Sequence, residues 1–412
     1  MTLNLPNFNE FVKLTCQIYT NLLNCSKFIK MKWFDRFYEK EEHFLQKGKV
    51  NLLYGPRRAG KTALILKMLE NYKSKVFSGT GDDSSLREVF GSQNKALILG
   101  LLTDYEVIFI DEAQRIPDVG WGLKILVDNL PETIIIATGS SSFRLSPEVS
   151  EPLTGRSVTN LLYPISLIEL AEQWGRMDVY QQIEEFLLFG PYPETLQLLN
   201  HQDKISYLQE LKSAYLFKDI LELDSIRNSD KLLDLLRLLS FQIGNEVSLN
   251  ELSNALGIAK QTVSRYLDLL ENAFIIKKLG GFSKNLRKEV TKSNRYYFYD
   301  NGIRNAVINN FNLLTSRNDI GMLWENLMFM ERIKSLHYQK VFSNNYFWRT
   351  YDQKEVDLVE ERNGNLYGYE LKWSAKSSKT QKHWLNAYPE ASFEIINKEN
   401  FIPWLINPKS SV

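Results

Sequence analysis

Cysteine is nearly absent from this sequence. Cys16 and Cys25 are the only two among 412 residues, and their spacing suits neither a redox pair nor a metal site. Histidine is almost as scarce. His43, His201, His337 and His383 are scattered along the chain, which argues against a zinc centre. No apolar run approaches the ~20 residues that a membrane helix needs. The first residues lack the basic-apolar-small pattern of a signal peptide, being interrupted by Asn4, Asn7, Asn9 and Glu10. The formal net charge is only +1, so any affinity for nucleic acid must come from local charge. These absences lead to the expectation of a reduced, cytoplasmic protein with no membrane partner. What is present is an ordinary globular composition, 44% hydrophobic and 24% charged. The length calls for about two to four domains.

Within this background one motif stands out. Gly55-Pro56-Arg57-Arg58-Ala59-Gly60-Lys61-Thr62 spells G-x-x-x-x-G-K-[ST]. The apolar run Val50-Asn51-Leu52-Leu53-Tyr54 before it reads as a buried strand, and Ala63 to Leu69 after it has a helical pattern. A strand, a glycine loop and a helix N-terminus in that order make a phosphate cradle. The loop glycines allow backbone N–H groups to turn inward on a phosphate. Lys61 supplies a point charge for the β- and γ-phosphates, and Thr62 a hydroxyl for Mg²⁺. Nucleotide binding is the function this motif predicts, with ATP and Mg²⁺ as the expected ligands.

Two further strand patterns complete the expected site. Val107-Ile108-Phe109-Ile110 ends in Asp111-Glu112, so a buried strand delivers two acids to a sheet edge. Asp111 is expected to hold Mg²⁺ through its water shell and Glu112 to polarise the attacking water. Thr133 to Ala137 ends in Thr138-Gly139-Ser140-Ser141-Ser142, where Thr138 is the first choice and Ser140 the second for a γ-phosphate sensor. Arg156, in Leu153-Thr154-Gly155-Arg156, is a candidate to neutralise charge on the γ-phosphate, within its own subunit or in a neighbour.

These segments, GPRRAGKT, FIDEAQ, ATGSSS, TGR and the YPISLIEL stretch at 163–170, resemble a prokaryotic family of AAA-type ATPases. Its members join the ATPase core to a C-terminal region labelled a domain of unknown function. The resemblance runs from about residue 33 to the end. It implies that Lys61, Thr62, Asp111 and Glu112 form a hydrolytic site and that Arg156 is an arginine finger or sensor. Residues 1–30 fall outside it and read as an amphipathic helix with Phe11, Leu14, Ile18 and Leu22 on one face.

Residues 171–235 are helical in pattern, broken by Phe189-Gly190-Pro191-Tyr192-Pro193, and read as a lid and connector. From Ser248 a different module begins. Ser248-Leu249-Asn250-Glu251 is a capping box, with Leu249, Leu252 and Leu256 on the face behind it. Gly257 separates this helix from one beginning at Ala259. The second has Val263, Leu267 and Leu270 inward and Lys260, Gln261, Thr262, Ser264 and Arg265 on a polar front. That describes a helix-turn-helix. Phe274-Ile275-Ile276, a turn at Gly280-Gly281 and Tyr296 to Tyr299 then suggest a hairpin wing. Lys277, Lys278, Lys284, Arg287, Lys288, Lys292 and Arg295 stand there against Glu289 alone, a local net charge of +6. A winged helix over residues 236–310 that binds DNA is the expectation, with protein contact as the alternative.

The C-terminal segment, 311–412, carries a second constellation. Arg362-Asn363-Gly364-Asn365 is a two-residue hairpin signal between Glu355–Val359 and Leu366–Trp373. With Asn363-Gly364 as the loop, Arg362 faces Asn365 and Asp357 lies opposite Glu370, with Cβ atoms ~5 Å apart. Lys372 shares the face of Glu370. Two such carboxylates repel unless a cation lies between them or one takes a proton. This D…E-x-K hairpin resembles the PD-(D/E)xK nuclease fold. There Asp357 and Glu370 would hold a second Mg²⁺ or Mn²⁺, Lys372 would activate water, and Glu325 from a preceding helix would join them.

The expectation for the whole chain is therefore an α/β protein. It has a P-loop AAA-type core at 31–170, a helical connector, a winged helix and a restriction-endonuclease-like domain. Its functions are expected to be ATP hydrolysis and DNA engagement. Two readings of the C-terminal part stay open: a metal-dependent nuclease, or a non-cleaving switch whose nuclease-like domain is structural. A helicase is disfavoured, because no second RecA-like half follows. A homo-oligomer is required only if Arg156 acts on a neighbour.

Overall fold

The computed structural model describes residues 33–41, 44–70, 72, 75–140, 151–214, 229–282, 294–350, 352–374, 377 and 380–408. The helix expected within 1–30, Ser141, Ser142 and the wing cations Lys284, Arg287, Lys288 and Lys292 lie outside the described residues.

Five strands form the first sheet: Val50–Tyr54 (β1), Val76–Thr80 (β2), Val107–Asp111 (β3), Ile134–Gly139 (β4) and Ser157–Leu161 (β5). All pair in parallel, in the order β2-β3-β4-β1-β5. The side chains of β1 and β4 are buried throughout, as helices on both faces of a parallel sheet require. The strand that delivers the phosphate loop and the strand that delivers the acids are not neighbours. β4 separates them, and this puts the tip of β4, Thr138, between the loop and Asp111. β2 and β5 are the edge strands, and β5, Ser157-Val158-Thr159-Asn160-Leu161, is largely polar and half-buried.

The second sheet contains Ile276–Gly281 (β6), Arg295–Phe298 (β7), Asn344–Arg349 (β8), Glu355–Arg362 (β9), Asn365–Leu371 (β10) and Ser392–Ile396 (β11). Their order is β11-β10-β9-β8-β6-β7, with mixed directions. Before it come helices Ser229–Ser240, Leu249–Leu256 and Lys260–Asn272, and an isolated antiparallel bridge joins Val247 to Asn294. Leu252 and Leu256 are buried as expected, but Leu249, at the helix start, is exposed.

Gly280 and Gly281 do not form the expected turn. They continue β6 and pair with Tyr346 and Phe347 of β8, where their backbone groups find ladder partners. The sheet therefore runs across the boundary expected at 310. The β9–β10 hairpin has the counted register, Arg362 facing Asn365 through to Leu358 facing Tyr369. Asn363 (φ 50°) and Gly364 (φ 81°) both take positive φ, as a type I′ turn demands. The register shift in this region lies between β8 and β9, at Tyr346/Trp348, and leaves the hairpin regular.

The buried helix Ile320–Tyr338 holds the pieces together. Its Asn326 amide bonds both the N–H and the carbonyl of Phe298 in β7. Trp324 Nε1 donates to Ile396 O in β11 at 3.2 Å. Glu331 Oε2 accepts from Leu167 N–H, at the start of the helix after β5.

Candidate functional site

The phosphate loop turns on two glycines with positive φ. At Gly55 (φ 149°) an added Cβ would lie 2.1 Å from the Leu162 carbonyl oxygen, so only glycine fits. Gly60 (φ 96°) precedes the helix Lys61–Leu69, whose N-terminal N–H groups face the loop. Lys61 is buried, and its Nζ donates to the carbonyls of Gly55 and Pro56, both at 2.9 Å. Arg36 clamps the loop from outside. Its guanidinium donates to Ala59 O at 2.7 Å, to Tyr163 O at 2.7 Å and to Glu169 Oε1 at 3.2 Å.

Asp111 is the convergence point. Thr62 Oγ1 donates to its Oδ2 at 2.8 Å, and Thr138 Oγ1 donates to its Oδ1. Glu112 follows in the left-handed region (φ 47°), a costly backbone for a glutamate and typical of functional sites. Gln114 Nε2 donates to Glu112 Oε2 and, at 3.2 Å, to Ser140 Oγ. One amide thus fixes the direction of the glutamate and ties it to the tip of β4.

Arg156 is not brought to this loop. Its carbonyl accepts from Val50 N–H at the start of β1, and its Nε donates to Asp128 at 2.7 Å. It sits at the opposite edge of the sheet, a strand of five residues away, roughly 15 Å. The in-subunit role expected for it fails on position.

The second constellation does assemble. Lys372 Nζ lies 3.3 Å from Asp357 Oδ2 and 3.6 Å from Glu370 Oε1. Asp357 also accepts from Leu371 N–H at 2.8 Å. Glu325, from the helix Ile320–Tyr338, accepts from Tyr297 Oη at 2.9 Å. Arg295 is the unexpected member. It was expected on the basic wing, yet it is 1% exposed inside the acid cluster. Its Nη1 is 3.8 Å from Asp357 Oδ1 and 3.9 Å from Glu325 Oε1, and its Nη2 is 2.7 Å from Glu355 Oε2. Its guanidinium carbon lies 4.4 Å from the Phe347 ring centre. Burial, followed by the charge of Asp357, pushes the Glu325 carboxyl up to about 8. Burial works against the Lys372 charge, but Asp357, Glu325 and Glu370 outweigh it and hold its pKa above the ordinary value.

Residues 47–171 match a family model described as an AAA domain. Residues 180–314 and 320–403 match two domains of unknown function, DUF8612 and DUF4143. An uncharacterized protein of Mycobacterium tuberculosis is 28% identical over 338 residues, covering 81% of this chain and 72% of that protein. An uncharacterized protein of Methanocaldococcus jannaschii is 25% identical over 302 residues, covering 69% and 66%. Among solved structures, a Walker-type ATPase of Pyrococcus abyssi aligns at 18% identity and a TM-score of 0.44, covering 68% of this chain and 97% of that one.

The first sheet and its helices are an AAA-type, P-loop ATPase-like domain. No helix among the described residues is long and apolar enough to cross a membrane.

The two sites differ in their fitness for a metal. At the phosphate loop, a threonine hydroxyl and a carboxylate offer oxygen donors suited to Mg²⁺. In the C-terminal cluster Arg295 already stands beside the carboxylates as a cation. A divalent charge about 4 Å from that guanidinium meets repulsion of roughly 8 kcal/mol, twice the unit-charge value at an effective dielectric of about 20, which cancels the attraction of one carboxylate at the same distance. Among the described residues no group of three His, Cys, Asp or Glu is set to hold a metal. Asp357, Glu370, Lys372 and Glu325 are thus brought together as expected, with Arg295 as an additional cation among them.

Sequence reasoning gave no role to Arg36 or Gln114 and read Arg295 only as a wing cation. Gln114 carries a weak local signal, two residues from Glu112, whereas the partners of Arg36 lie 23 to 133 residues away. Arg295 carries none, because its partner Glu355 is 60 residues away.

Proposed function

We propose that this protein hydrolyses ATP and uses the nucleotide state to rearrange a non-cleaving C-terminal half. The observation that carries the reading is Asp111, which accepts the hydroxyls of both Thr62 and Thr138 beside the lysine of the phosphate loop. Lys61 and the backbone N–H groups of 55–62 would bind the phosphates. Thr62 and Asp111 would hold Mg²⁺, which when bound neutralises charge between the β- and γ-phosphates. Glu112, kept in line by Gln114, would accept a proton from the attacking water, and Thr138 would register the γ-phosphate.

Communication with the C-terminal half has a continuous route. Arg36 links Ala59 of the loop to Tyr163 and Glu169, and Leu167 N–H is held by Glu331 on the helix Ile320–Tyr338. The same helix carries Glu325. The helix Lys260–Asn272 supports DNA engagement: Lys260, Gln261 and Arg265 are exposed and Thr262 is half-buried, above the buried Val263, Leu267 and Leu270. Helix, helix and hairpin in this order support a winged helix. Arg156, half-exposed at the far sheet edge, supports a role only toward a neighbouring subunit.

The test is phosphate release with Mg²⁺-ATP. Wild type turns over. Glu112→Gln still binds nucleotide but loses roughly 10²- to 10⁴-fold in kcat, the range for removing a general base. Unchanged turnover would sink the reading.

A further inference from the structure

The acid cluster on β9, β10 and the helix Ile320–Tyr338 is unusual for what fills it. Four carboxylates stand around two cations there: Glu325, Glu355, Asp357 and Glu370. Two cations answer them. Lys372 approaches from the side that is about a third exposed, whereas Arg295 is buried. Arg295 Nε and Nη1 donate no hydrogen bond among the described residues, although both are buried. A buried, unsatisfied guanidinium N–H is costly, so something must hold the side chain there. Three contacts do: the ion pair to Glu355, the face of Phe347, and the field of Asp357 and Glu325 on Nη1.

Arg295 opens β7, and β6 joins that strand to β8. The guanidinium is therefore delivered by the backbone of the sheet rather than by a mobile side arm. Nη1 stands almost equidistant from Asp357 and Glu325, at 3.8 and 3.9 Å. A cation on a covalent tether cannot leave by dissociation, and its charge together with that of Lys372 opposes entry of a further positive ion.

We propose that Arg295 is the resident cation of this cluster, that the native chain takes up no divalent metal there, and that removing its charge converts the cluster into a divalent-cation site. The nuclease-like hairpin is thus held in a metal-excluding state by one residue. This claim is independent of ATP hydrolysis.

The test uses the full chain without nucleotide, titrated with Mn²⁺ and read by electron paramagnetic resonance of free Mn²⁺. Circular dichroism checks folding. Wild type and Asp357→Asn are expected to take up the same Mn²⁺. Arg295→Gln is expected to take up a further ion, lost again in Arg295→Gln/Asp357→Asn, whereas Arg295→Lys gains nothing. Uptake by wild type that Asp357→Asn abolishes overturns the proposal, as does a folded Arg295→Gln that gains no ion. Should Arg295→Gln unfold, the comparison of wild type with Asp357→Asn still decides. Equal uptake upholds metal exclusion, and unequal uptake refutes it.

Discussion

The backbone N–H of Leu167 donates to Glu331 Oε2 at 2.7 Å, joining the ATPase-like sheet to the long helix of the C-terminal half. Glu331 is buried, and its other oxygen pairs at 2.6 Å with Lys334, itself buried and donating to Ile165 O. Burial raises the Glu331 pKa, against the pull of Lys334. One carboxylate therefore serves a helix start, a buried ammonium and the junction between two sheets.

Removing that carboxylate is expected to be severe. Glu331→Ala leaves Lys334 charged, buried and without its acid, which typically costs about 3–5 kcal/mol. Adding Lys334→Met should recover much of the loss, because no buried charge remains. Urea unfolding midpoints check both. Equal stabilities for the single and double variants would contradict this account.

Gln114 holds the Glu112 carboxylate through its side-chain amide. Gln114→Ala should lower kcat by about tenfold while leaving the KM for ATP nearly constant, since the loss falls on water orientation rather than on nucleotide binding. Gln114→Glu would set two carboxylates side by side and should be slower still. Steady-state phosphate release distinguishes these outcomes from a general loss of folding.

Asp300 gives the fold a pH dependence. It caps the helix Asn301–Ile308 by accepting from Ile303 N–H at 3.0 Å, and it is fully buried. Burial pushes its carboxyl up to about 7, against backbone hydrogen bonds that favour the charge. The folded chain therefore keeps this proton where the unfolded chain has lost it. The stabilisation is complete below the ordinary carboxylate range and is lost as pH rises toward 7. Asp300→Asn should flatten this decline, so that the variant gains on wild type between about pH 4 and pH 7, the span of the shift. Unfolding curves at the two pH values test it.

The phosphate loop was legible because every part is local: a buried strand, two special glycines and a helix start within twenty or so residues of chain. The hairpin register was legible for a similar reason. Asn363 and Gly364 tolerate the positive φ that a type I′ turn imposes, and from that turn the pairing of Leu358 with Tyr369 follows by counting. Arg156 misled because β5, polar and half-buried, has little strand signal. Without β5, nothing says that Arg156 precedes a strand and lies at its far end. Arg295 misled because local charge assigned it to the wing. Only the pairing of β6 with β8, at two glycines read as a turn, carries it into the acid cluster.

The central claim is that the loop around Lys61 grips a nucleotide's phosphates. Titration calorimetry of the full chain with Mg²⁺-ATP tests it most directly. Saturable heat in wild type, absent in Lys61→Ala with an unchanged melting temperature, is the predicted result. No heat in wild type, or equal heat in both, would contradict it.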